Sequence, residues 1–297
     1  MEMTYHVLHA AYAVGLIWYL VRTGLSTQNL PEIEPIIFPK KRFGAWIPAM
    51  AVGLMFALVV VSDDGADLLL LLMMPASLWI LVAWWRKIRL VWVLQGVVLG
   101  LVAFAAGIPA RDNGLISETV LWVMPGFVPF MYVAGGLLLD RTGLSATQLR
   151  SAEPGKALKG FLWGCLLFLP MGFFNVVDGP VAGDLTWVTE WWMPLSAPWF
   201  SGIAEEAWFR LFLMGFCFFL LRPVFRTRPA LAVAVTVVIC GITFGLIHGR
   251  TMERFLTTGL LYGVPMATVF AKRDWEHAVG AHYIVNMPSW VMAFLGA

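Results

Sequence analysis

The chain has 297 residues, of which 60% are hydrophobic and 13% charged, about half the charged share of a soluble domain. Its mean hydropathy is +0.79, which excludes a water-soluble fold, since no interior of this size hides so much apolar surface. A net charge of +2 carried in short loops gives no ground for a nucleic-acid partner. Cys165, Cys217 and Cys240 lie far apart in apolar sequence without a C-x-x-C spacing. That excludes a zinc ribbon or a disulfide framework and leaves packed apolar thiols.

Taken in chain order, ten apolar runs reach bilayer-crossing length: 5–22, 44–62, 67–85, 90–107, 117–138, 158–177, 200–221, 230–248, 255–271 and 275–295. Helix is the conformation that leaves no backbone group unpaired in lipid. The expected fold class is therefore all-α, a polytopic transmembrane helical bundle of about ten spans. The first run has no basic residue ahead of it in MEMTYH, so it reads as a retained span rather than a cleaved signal peptide. His6 and His9, near its start, read as interfacial anchors.

The connecting loops alternate in charge. One set holds 16 of the 20 basic residues: Arg22, Lys40, Lys41 and Arg42; Arg86, Lys87 and Arg89; Arg141, Arg150, Lys156 and Lys159; Arg222, Arg226 and Arg228; Lys272 and Arg273. The other set holds Arg111, Arg250 and Arg254. By the positive-inside rule the first set is cytoplasmic and both termini lie outside. The stretch Trp187–Phe200, with four tryptophans and two prolines, reads as an interfacial anchor.

Charged groups at bilayer depth are costly, and they gather in the last four spans. The seventh reads SGIAEEAWFRLFLMGF. Glu206 and Arg210 are four apart and share a helix face, whereas Glu205 is turned about 100° away and needs another partner. Two adjacent carboxylates repel, which a plain buried ion pair does not explain. The eighth span ends in Phe244-x-x-x-His248, and the tenth holds His282 and Asn286, again four apart. His277, beside Glu276 at a helix start, is left out of the candidate site.

Glu205-Glu206-x-x-x-Arg210, then Phe244-x-x-x-His248, then His282-x-x-x-Asn286 resembles the CPBP family, the CAAX prenyl protease 2 (Rce1-type) and bacterial Abi-type intramembrane proteases. The resemblance covers roughly residues 196–290. It implies a division into 1–180, transmembrane helices without a recognisable role, and 181–297, a protease core. It also implies an integral protein of a prokaryotic plasma membrane that acts on a peptide or protein substrate within the lipid bilayer.

For the chemistry, the resemblance implies that Glu205 activates water and His248 holds the same water. His282 and Asn286 then donate N–H groups to the oxyanion, and Glu206 and Arg210 support the site. The family has been described both as metal-free and as metalloprotease. The cofactor is accordingly left open between none and a divalent metal such as zinc, for which His248, His282 and one glutamate are the ligand types. No H-E-x-x-H motif, no serine motif of rhomboid type and no pair of intramembrane aspartates occurs.

One conflict accompanies this reading. Measured from the cytoplasmic helix ends, Glu205 lies about 25 Å deep and His248 about 27 Å, but His282 only about 12 Å. For them to meet, the turn at 272–275 must dip into the protein, the spans must tilt, or the eighth span must start later. The rival functions are a transporter or channel using the same buried charges, and a non-catalytic scaffold or immunity-type protein. All intramembrane charge at one end and no inverted repeat speak against the first.

Overall fold

A computed structural model describes residues 2–24, 65–114, 116–178, 188–249 and 251–296. The expected span 44–62 and Trp187 lie outside the described residues. Within them the chain is helical throughout, with no strand. The helices are α1 (Glu2–Thr23), α2 (Gly65–Ala83), α3 (Leu90–Asp112), α4 (Glu118–Thr142), α5 (Pro154–Asp178) and a short α6 (Met193–Ser196). Next comes α7, a continuous rod of three parts: Pro198–Glu205, a π-helical Glu206–Met214, and Gly215–Leu221. After it run α8 (Pro229–Ile247), α9 (Met252–Arg254, a π-helical Phe255–Gly263, and Val264–Lys272) and α10 (Trp275–Gly296). Every apolar run in the described residues thus forms a helix.

Among the described residues, four helices are long and apolar enough to cross a membrane: Leu90–Asp112, Glu118–Thr142, Pro154–Val177 and Pro229–Ile247. The protein is an integral membrane helical bundle. Local signals set the ends of α4. Ser117 accepts the Val120 amide as N-cap, and Gly143, at φ 65°, closes the C-terminus in the left-handed region, as capping chemistry favours.

Helix contacts in lipid depend on small residues that let backbones approach. Here α5 and α10 meet so closely that a Cβ on Gly164 would collide with the His277 carbonyl, and one on Gly280 with the Phe161 carbonyl. Gly135 of α4 admits the backbone of Leu211 in α7 in the same way. Helix α4, two-thirds buried along its apolar window, is the central post of the bundle. Trp191 and Trp192 are exposed, but Trp199 is packed between Phe161, stacked at 4.9 Å, and Tyr283 at 4.8 Å.

The turn at 272–275 is enclosed by protein. Asp274, Trp275 and Glu276 are all buried, covered by the loop that follows α4. Trp275 N–H donates to the Ala146 carbonyl at 3.0 Å, Leu149 N–H to Glu276 Oε1 at 3.0 Å, and Ser145 Oγ to the Phe270 carbonyl at 2.7 Å. Backbone at such a turn is tolerated at depth because these groups satisfy it. From this turn α10 runs past α7, where His282 lies 3.9 Å from Glu205 and 2.8 Å from Glu206.

His9 corrects an expectation. Rather than anchoring at an interface, it is fully buried, stacked on Phe174 at 4.7 Å and edge-on to Tyr262 at 4.8 Å. The three cysteines are free thiols, with Cys217 and Cys240 buried.

Candidate active site

Helices α7, α8 and α10 bring the motif residues together. Glu205 ends the first part of α7 and Glu206 opens its π-helical part, a local widening that recurs at functional sites. The two carboxylates leave the helix in different directions and find different partners.

Glu206 is fully buried. Its Oε2 pairs with Arg210 Nε at 3.4 Å, the ion pair that the four-residue spacing predicts. Its Oε1 accepts a hydrogen bond from His282 Nδ1 at 2.8 Å, a contact across 76 residues that spacing did not reveal. Arg210, also fully buried, lies over the Phe244 ring at 4.8 Å, a cation–π contact strengthened by the lack of water.

Glu205 faces two imidazoles. Its Oε2 lies 3.5 Å from His248 Nε2 and 3.9 Å from His282 Nε2. It is buried and accepts no hydrogen bond among the described residues. Both rings have their other nitrogen committed. His248 Nδ1 donates to the Phe244 carbonyl at 2.7 Å, since a carbonyl can only accept, and His282 Nδ1 donates to Glu206. These bonds fix ring orientation and tautomer, so that each Nε2 faces Glu205. Phe244 completes the packing, its ring 4.5 Å from that of His248 and 5.7 Å from that of His282.

Exposure is graded across the cluster. The side chains of His248 and Glu205 are 34% and 20% accessible, His282 only 5%, and Glu206 and Arg210 not at all. The site therefore opens on the Glu205–His248 side and rests on a closed ionic floor. His248 owes its place to the end of α8, where it is the C-cap residue.

Asn286, one turn beyond His282, donates from Nδ2 to Ser201 Oγ at 2.7 Å. Ser201 lies one turn before Glu205 and so shares its face, a same-face relation that sequence reasoning could have used and did not. His277 takes no part. Its ring Nδ1 and backbone N–H both engage Asp274 Oδ1, at 2.6 and 2.9 Å.

Residues 187–288 match the family described as type II CAAX prenyl endopeptidase Rce1-like. The match covers about a third of the chain, and over it the sequence is similar to that family. All seven motif residues, from Glu205 to Asn286, fall inside the Rce1-like segment, and the enzyme class that accompanies the family is peptidase. No curated protein and no solved structure matches the chain.

The metal version of the Rce1-like site requires ligands that close around an ion. Imidazole nitrogen and carboxylate oxygen are donors that zinc accepts. Among the described residues, however, no group of three or more His, Cys, Asp or Glu side chains is arranged to hold a metal. The Nε2 atoms of His248 and His282 nevertheless face the same Glu205 oxygen, at 3.5 and 3.9 Å, so donor types that zinc accepts stand together in the site.

Proposed function

We propose that the protein is an intramembrane endopeptidase in which Glu205 activates water to cleave a peptide bond in or near the bilayer. The observation that carries this reading is the Glu205 Oε2, without a hydrogen bond among the described residues, facing two imidazoles whose Nδ1 atoms are already engaged. A carboxylate beside positioned imidazoles, open to one side, has the parts that general-base hydrolysis needs.

Water lies between Glu205 and His248 on the accessible side. As its oxygen attacks the scissile carbonyl carbon, one proton passes to Glu205 and the carbonyl oxygen becomes an oxyanion. Asn286 donates its second Nδ2 hydrogen to that oxygen, and His282 donates from Nε2. Because the Nδ1 hydrogen of His282 already goes to Glu206, donation from Nε2 requires a second proton on the ring. Glu206 offsets one of the two positive charges, on His282 and Arg210, and the other is offset by the Glu205 carboxylate before the attack and by the oxyanion after it. When the tetrahedral intermediate collapses, the C–N bond breaks and Glu205 returns its proton to the leaving nitrogen. Donors aimed at a developing oxyanion in a water-poor site make a large contribution to such reactions.

In this reading residues 181–297 form the protease core, and the preceding helices support it. The reading is tested by comparing membrane proteomes of a wild-type strain and a Glu205→Ala strain. Uncut precursors accumulating only in the mutant support it. Identical peptide termini in both strains, together with substrate flux into proteoliposomes that survives loss of Glu205, would favour a transporter instead.

A further inference from the structure

Helices α7 and α10 run antiparallel across the site and touch through two matched rungs. Glu205 faces His282 at 3.9 Å, and one turn away Ser201 faces Asn286 at 2.7 Å. Between the rungs the helices are close: a Cβ on Gly202 would rest 3.5 Å from the Val279 carbonyl and 3.6 Å from the Tyr283 nitrogen.

The hydrogen bonds of Ser201 have a direction. Its hydroxyl donates to the Pro198 carbonyl, 3.3 Å away in the preceding turn. A hydroxyl has one hydrogen, so with that hydrogen committed the oxygen faces Asn286 as an acceptor. An amide oxygen turned toward it would set two lone pairs against each other. The amide nitrogen must therefore face Ser201, which places one of its two hydrogens on the hydroxyl and leaves the other free.

We propose that Ser201 is a positioning residue that fixes the Asn286 side-chain amide so that an N–H, rather than the carbonyl oxygen, is presented to the oxyanion. The proposal rests on the endopeptidase reading above and adds a residue outside its motif set. Ser201 does not act as a nucleophile: its hydroxyl proton goes to a helix carbonyl, and its oxygen is taken by the amide. Without it the amide rotates freely, and half of its orientations set an acceptor against the oxyanion.

The test uses the purified full chain in detergent micelles and a quenched-fluorescence peptide ending in a farnesylated C-a-a-X sequence. Ser201→Thr keeps the hydroxyl, while Ser201→Val keeps the same shape without it. The Val variant is expected to lose about 10- to 100-fold in kcat at an unchanged KM, the scale set by small misplacements of a catalytic group. The Thr variant is expected to stay near wild type. Because Ser201 acts through Asn286, Ser201→Val added to Asn286→Ala should cost nothing further. A Val variant as active as Thr, or losses that multiply in the double variant, overturns the proposal.

The amide itself gives a readout independent of turnover. The chain has four asparagines, so selective 15N-asparagine labelling resolves the Asn286 side-chain NH2, identified by its loss in Asn286→Asp. Its two proton shifts should be split more widely than those of a free amide in wild type and in the Thr variant, and the splitting should narrow to the free-amide value in the Val variant. If Glu205→Gln cleaves the peptide normally, the endopeptidase reading fails, and if wild type does not cleave it, a prenylated tail is not the substrate. The amide spectrum then still decides whether Ser201 orients Asn286, and shifts unchanged by Ser201→Val overturn it.

Discussion

Neutralising Glu206 while keeping its shape should be among the most damaging single changes in the molecule, and removing Arg210 as well should undo most of the damage. Glu206 and Arg210 are fully buried and pair at 3.4 Å, and the guanidinium nitrogens have no hydrogen-bond acceptor among the described residues. Glu206→Gln leaves the Arg210 charge without its counter-charge, which costs roughly 3–5 kcal/mol when one partner of a buried pair is removed. The Gln oxygen still accepts from His282 Nδ1, though as a neutral bond about half as strong. Arg210→Met alone leaves the Glu206 carboxylate with His282 as its one partner and should cost a similar amount. The double variant Glu206→Gln/Arg210→Met buries no charge, and pairs replaced by groups of similar volume are often neutral.

The assay is reversible unfolding in mixed micelles, with the four proteins forming a double-mutant cycle. The expected coupling between the positions exceeds about 2 kcal/mol, the scale of strongly interacting neighbours. The double variant should fold yet turn over about 10- to 100-fold more slowly, as loss of a group that orients a catalytic histidine does. Additive single costs, or a Glu206→Gln cost below about 1 kcal/mol, a value ordinary for an exposed pair, would refute the account of a buried ionic floor.

Three further outcomes follow. Asn286→Ala should lower kcat by about 10²–10³, the range for one oxyanion donor, in a steady-state assay with little change in KM. Gly280→Ala should destabilise by roughly 1–3 kcal/mol through overpacking, since its Cβ would meet the Phe161 carbonyl, whereas Gly126→Ala meets nothing within 4 Å and should be neutral or stabilising in the same unfolding assay. If Glu205 activates water without a metal, treatment with 1,10-phenanthroline or EDTA leaves peptide cleavage unchanged and metal analysis finds less than one equivalent; inhibition reversed by zinc would assign the activation to a bound ion instead.

Helix positions were legible because each apolar run is longer than any alternative structure accommodates, and the described helices follow those runs closely. The Glu206–Arg210 pair was legible from a spacing of four. The bond from His282 to Glu206 was not, because spacing along one helix says nothing about a neighbour 76 residues away. Nor did the sequence disclose the π-helical segments that begin at Glu206 and Phe255, since no residue type marks them. The buried turn at Asp274–Glu276 depends on carbonyls and amides of residues 145–149, a tertiary bargain invisible in hydropathy. His9 misled for a related reason: its aromatic partners, Phe174 and Tyr262, come from α5 and α9.

The central claim is that the Glu205 carboxylate takes the proton of the attacking water. Glu205→Gln preserves shape and most contacts while removing that basicity, so its cleavage rate on the farnesylated peptide, measured beside wild type at equal amounts of folded protein, tests the claim most directly. The account predicts a loss of at least about 10³-fold, in keeping with removal of a general base. A variant that cleaves at the wild-type rate would contradict it.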